Sequence, residues 1–146
     1  MRSNTDSFAQ FVIGDLRVHL VPDDIANVSA AVIVSSDDAD LSMSGGVSRA
    51  ILQRAGAAMR QEALAKNSRK VGEVVVSSAG NLDCENIFHA IVVDYSTGEL
   101  PGYELVMSLT RTCLDLANGM GHSSIAIPPM GAGAGRLAPT ESAEAI

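Results

Sequence analysis

The chain has 146 residues, 47% of them hydrophobic and only 3% aromatic, with no tryptophan. That is the size of one ordinary domain with an aliphatic core, and it is too hydrophobic for a disordered chain. The net charge is −7 and the only lysines are Lys66 and Lys70, which excludes a strong binder of long nucleic acid but not of a small anion held by backbone N–H groups.

Met1 to Gln10 is polar and lacks the apolar core of a signal peptide. Phe8 to Gly14 and Leu16 to Val21 read as strands around Gly14-Asp15, an antiparallel hairpin. Ala30 to Val34 is a continuous apolar run, the pattern of a strand covered on both faces. Polar Ser35 to Asp40 is expected to follow it as a loop. Val47, Ile51, Ala55, Met59 and Ala63 recur every four residues, which predicts an amphipathic helix that Gly56 breaks in two.

Val74 to Ser77 is a short strand and Ile87 to Asp94 a longer buried one. Pro101 stands near the start of a helix whose apolar face is Leu105, Val106, Leu109, Cys113 and Leu116, ended by Gly119 or Gly121. Ser124 to Ile127 is another short strand, and Pro139 to Ile146 the first turns of a further helix. Cys84 and Cys113 form no disulfide framework and have no metal-ligand spacing, so reduced thiols and a cytoplasmic location are expected. No run approaches the ~18 apolar residues of a membrane span.

Strands alternating with helices predict an α/β fold, a three-layer αβα sandwich with a mixed sheet: an antiparallel first hairpin and a mostly parallel remainder. Ligands of such sheets sit beyond the carboxyl ends of the strands. Two loops rich in small residues lie there. One runs from Ser35 to Ser48 and places Gly45-Gly46 directly before a helix, where free amides attract anions. Taken alone, it is as well explained by a helix start with no ligand. The other, Pro128 to Leu137, carries Gly131, Gly133 and Gly135 at alternate positions. Such backbone freedom costs chain entropy and is useful where a ligand approaches closely. It is neither a dinucleotide fingerprint nor a P-loop, and a plain surface turn is the alternative.

The ordered set of motifs resembles the macro domain family. Val18 to Ile25, then Ala31 to Asp38, resembles that family's opening strand, Gly-Asp-Ile, strand and Asn-Ala-Ala-Asn. Leu41 to Ile51 resembles its Leu-x-x-Gly-Gly-Gly-Val-x-x-Ala-Ile. His89 to Val92 and Ser124 to Leu137 resemble its later strand and second glycine loop. The resemblance covers about Val18 to the end, and implies an ADP-ribose site. By it, Asp24 accepts from the adenine amino group and Ile25 packs on the ring. Ser44, Gly45, Gly46, Val47 and Ser48 offer amides to the diphosphate. Gly131, Ala132, Gly133, Ala134 and Gly135 close the opposite side. Arg136 either adds a charge-assisted contact or is a solvated surface arginine.

The departures carry information. Ser35-Ser36-Asp37-Asp38 replaces Asn-Ala-Ala-Asn, so Asp38 takes the place of the asparagine at the distal ribose. A carboxylate accepts but cannot donate, and favours a ligand with a donor or positive group there, such as NAD or a base-modified ADP-ribose. Asp37, Asp38 and Asp40 are expected to be a solvated acidic loop, with Mg²⁺ as the alternative. Ser48 stands where hydrolytic members carry an aspartate, and His89, mid-strand, reads as a satisfied core histidine. No His-Asp arrangement is evident beside the serines.

The expected function is therefore a reader of ADP-ribose or a derived nucleotide, free or on an ADP-ribosylated protein, with no cofactor. The alternative is a hydrolase removing ADP-ribose from proteins or processing ADP-ribose esters. The family's closing helix and strand are cut short at Ile146, so residues 1–146 are expected to be a single domain from a longer protein, fused to others.

Overall fold

The computed structural model describes residues 9–66, 68–133 and 135–146. Its elements are β1 (Ala9–Ile13), β2 (Leu16–Leu20), a 3₁₀ turn (Ile25–Asn27), β3 (Val32–Asp38), α1 (Gly46–Ala55), α2 (Ala57–Leu64), β4 (Val74–Ser78), β5 (Asn86–Val93), α3 (Tyr103–Gly119), β6 (Ile125–Ala126) and α4 (Pro139–Ala145). No helix among the described residues is long and apolar enough to cross a membrane.

The central sheet has the order β4-β5-β3-β6. β3 runs parallel to β5 and to β6, and β4 is antiparallel to β5. Helices cover both faces, so β5 is buried along nearly its whole length and needs no polar alternation. On one face Val32, Val34, Phe88, Ala90 and Val92 pack against Val106, Leu109, Cys113 and Ala117 of α3, with Ala145 of α4. On the other, Ile33 and Ile87 pack against Ile51, Ala55 and Met59 of α1 and α2. This is the expected three-layer sandwich.

The break at Gly56 is also as expected. Gly56 has φ +93, which ends α1, and α2 starts at the next residue.

Two expectations need correction. Residues 35–38 are not loop: β3 continues to Asp38 in register with β5, with a bulge between Asp37 and Asp38. Their polarity misled because Ser35 and Asp37 are buried, and Asp37 is partnered from β5. The first hairpin forms its own two-stranded sheet and does not join the central one. Its cross-strand pairs Phe11–Val18 and Ile13–Leu16 share one face, and Phe11, Ile13 and Leu16 are exposed. Phe8, the expected first residue of this hairpin, lies outside the described residues.

Candidate functional site

Beyond the carboxyl ends of β3, β5 and β6 lies a cleft of about 230 Å³. β3 contributes Ser36, Asp37 and Asp38. The following loop and α1 contribute Ser42, Ser44, Gly45, Gly46, Val47 and Ser48. Pro129, Gly131, Gly133 and Gly135 form the facing wall. The two glycine-bearing loops therefore line one space, and the second is tied to the end of β3: the Gly131 amide donates to Ser36 Oγ at 3.4 Å.

The first loop is folded around one carboxylate. Asp38 Oδ1 accepts from the amides of Asp40 (2.9 Å) and Ser42 (3.2 Å), and Oδ2 from the Ser42 hydroxyl. Ser42 Oγ lies 3.2 Å from Ser44 Oγ. Leu41 and Met43 take positive φ, at +49° and +48°, a strained region for residues with a Cβ. Both are at most 2% exposed, so burial of their side chains offsets the strain. Arg60 Nε donates to the Leu41 carbonyl and Arg69 Nε to that of Ala39, which braces the loop from beneath.

At the start of α1 the first intrahelical acceptor is Gly45, which takes the Arg49 amide and the Ser48 hydroxyl. The amides of Gly46, Val47 and Ser48 precede that bond and have no helical acceptor. They carry the positive end of the helix dipole, so this wall suits an anion. Gly46 has φ +55, and a Cβ on Gly45, Gly46 or Gly133 would meet nothing within 4 Å. Gly131 and Gly135 differ. A Cβ on Gly135 would stand 2.6 Å from Pro101 Cγ and 2.7 Å from the Gly131 carbonyl. These two glycines let the second loop pack on Pro101, with Met130 and Leu137 as its buried anchors.

Other expected site residues stand elsewhere. Asp24 caps the 3₁₀ turn, with Oδ1 accepting the Ala26 amide at 2.9 Å. Ile25 is half-buried against the core cluster of Ile33 and Ile51, and its turn packs on α1. Neither lines the cleft between the loops, nor do Ala132 and the exposed Arg136. Ala134 lies outside the described residues. Sequence reading missed Ser36, Val92, Val93, Tyr95 and Pro129, all of which line the cleft. Residues past Val93 follow the same strand-end rule as the two loops, and that rule points to Tyr95.

Two corrections concern the acids. Asp37 and Asp38 are not a solvated loop: they are 3% and 7% exposed. No group of three or more metal-ligating side chains occurs among the described residues. Asp37 also belongs to a His-Asp arrangement that the sequence hid. Its Oδ2 lies 2.7 Å from His89 Nδ1, and His89 Nε2 lies 2.9 Å from Ser77 Oγ. This line crosses β3, β5 and β4 inside an otherwise aliphatic layer. Ser77 is 1% exposed and outside the cleft, so it is unreachable as a nucleophile. His89 is thus a satisfied core histidine, as expected.

The family model described as Macro domain matches residues 34–146. The human protein mono-ADP-ribosyltransferase PARP14 is 27% identical over 124 residues, 82% of this chain, yet the chain spans only 7% of its length. An O-acetyl-ADP-ribose deacetylase of Escherichia fergusonii is 32% identical over 122 residues, 80% of this chain and 68% of the relative. The Oceanobacillus iheyensis macrodomain solved with ADP superposes with a TM-score of 0.79 at 27% identity, covering 94% of this chain and 76% of that one.

Proposed function

We propose, from the membership of this chain in the macro domain family, that its cleft is a reader site for ADP-ribose or an ADP-ribose-derived nucleotide such as NAD or a base-modified ADP-ribose. The ligand is free or attached to a modified protein. One observation carries the reading: the free amides at the start of α1 and the Gly131–Gly135 loop face each other across one cleft that holds no basic side chain among its described lining residues. Backbone amides are what can neutralise a diphosphate there. Tyr95 at the rim, 58% exposed, offers an aromatic surface to a ribose or base. Asp24 and Ile25, on the turn packed against α1, are assigned to the adenine end, and Asp38 to the wall beside the distal ribose.

A reader with no chemical step is preferred over a hydrolase. Ser48, at the position of the family's hydrolytic aspartate, donates its hydroxyl to the Gly45 carbonyl and carries no base. The deacetylase relative supports the second reading, in which an ADP-ribose ester is processed here. Calorimetry with ADP-ribose, AMP and O-acetyl-ADP-ribose tests the first: saturable binding of ADP-ribose well above AMP is expected, and no binding refutes it. Release of acetate or of protein-bound ADP-ribose, lost on Asp38→Ala or Ser48→Ala, establishes the second.

A further inference from the structure

The cleft has an electrostatic asymmetry that a diphosphate alone does not answer. Its described lining includes Asp37 and Asp38 and no lysine, arginine or histidine. The two acids differ in how far their charge is met. Asp38 accepts three hydrogens from its own loop. Asp37 is held by His89 through Oδ2 only, and its Oδ1 is buried with no hydrogen-bond partner among the described residues. A buried carboxylate oxygen without a donor is costly, and such exceptions call for an explanation.

The fixed geometry matters as much as the charge. His89 is locked between Ser77 and Asp37, so the Asp37 carboxylate cannot swing toward solvent. Charges shielded by protein are weakly screened by salt, so a buried carboxylate can act on a ligand it does not touch. Free amides on one wall and a carboxylate at the end of β3 suit a ligand with both signs of charge.

Resting on the reading of the cleft as a site for ADP-ribose-type nucleotides, we propose that Asp37 sets its ligand preference toward nucleotides carrying a cation beside the diphosphate, the chemistry of an oxidised pyridine dinucleotide. Asp37 is the specificity-determining residue. His89 is the positioning residue that holds it.

The test uses the whole chain and three ligands: ADP-ribose, oxidised NAD and reduced NADH. The two dinucleotides differ chiefly by the ring's positive charge. Wild type is expected to bind the oxidised form about tenfold more tightly than the reduced one. In Asp37→Asn that ratio falls to near one while ADP-ribose binds as well or better, because a repelling charge has gone. A merely structural role would weaken all three ligands together. Ser77→Ala perturbs the same buried line but keeps the charge, and retains the discrimination. Equal affinity of wild type for NAD and NADH overturns the proposal, even if Asp37→Asn fails to fold. So does discrimination that survives in Asp37→Asn or disappears in Ser77→Ala. Binding of ADP-ribose with no such discrimination overturns this inference alone, whereas failure of wild type to bind any of the three overturns the reader assignment along with it.

Discussion

Asp38 and Ser42 hold each other at two points: the Ser42 amide donates to Oδ1 of Asp38 and its hydroxyl to Oδ2. The carboxylate at the mouth of β3 is thus the organising centre of the loop that leads into α1. Leu41 and Met43, the strained residues, lie on either side of Ser42. Asp38 shapes the anion wall whether or not it touches a ligand.

Asp38→Ala should therefore cost more than one contact. It leaves the Asp40 and Ser42 amides without their acceptor in a partly buried loop, for a loss of about 1–3 kcal/mol in stability. Loss of ADP-ribose affinity by at least about tenfold is expected with it, since the loop's amides lose their placement. Ser42→Ala removes the hydroxyl's contacts to Asp38 and Ser44 but keeps the amide bond to Asp38, and should cost about 1 kcal/mol. Chemical denaturation and calorimetry on both variants check the ranking. Equal effects would show that the hydroxyl alone organises the loop.

The glycines of the second loop divide by what surrounds them. Gly135→Ala pushes a Cβ into Pro101 and the Gly131 carbonyl, an overpacking expected to cost about 1–3 kcal/mol. Gly133→Ala meets open space and has an ordinary backbone angle, so its stability should stay within about 0.5 kcal/mol of wild type. Thermal melts of the pair separate packing glycines from cleft-facing ones. Equal destabilisation would contradict the division.

That division also marks what a sequence can and cannot convey. Three glycines at alternate positions look alike in one dimension, and it is the placement of Pro101, far upstream, and of the Gly131 carbonyl that distinguishes Gly135 from Gly133. The mostly apolar runs Ala30–Val34 and Ile87–Asp94 were legible because near-unbroken apolarity marks a strand covered on both faces, and the repeat from Val47 to Ala63 because a four-residue spacing marks one buried helix face. The polar end of β3 was not. Ser35 and Asp37 look solvated until His89 and Ser77 are brought beside them by strand pairing, and those contacts are 52 and 12 residues apart along the chain. The two cleft-forming loops were visible because small residues at strand ends are a local signal. Tyr95 was overlooked although the same rule reaches it. The hairpin's separation from the main sheet has no local signature, since strand pairing partners are not written into either strand.

The two cysteines should be poor nucleophiles for a common reason. Burial pushes the Cys84 thiol up to about 11, helped by the neighbouring charge of Asp83, and burial pushes Cys113 up to about 12. Both are thiols at neutral pH, whereas attack requires the thiolate. Alkylation of the folded protein by iodoacetamide at pH 8 should be about a hundredfold slower than that of a free thiol with a pKa of about 8.5. The rate at half-buried Cys84 should still be rising as the pH passes 10. Mass spectrometry of timed quenches reads this directly, and rapid modification of Cys84 at pH 7 would refute it.

Glu62 ties α2 to the end of β4 by accepting both the amide (3.1 Å) and the hydroxyl (2.6 Å) of Ser78. Those bonds, the hydroxyl first, hold its carboxyl below the ordinary 4.5. A carboxylate whose folded pKa is lowered binds fewer protons when folded, so it stabilises the fold above its unfolded value. That contribution is fully present at neutral pH, begins to fade as the pH drops through about 4.5, and is gone once the pH passes below the lowered folded value. The group is exposed and solvent weakens the tie, so the effect should be small. Glu62→Gln should therefore melt slightly below wild type at pH 7, and the gap should narrow as the pH falls below about 4.5. A melting difference that stays constant from pH 7 to pH 3 would mean that Glu62 acts through helix packing and not through its charge.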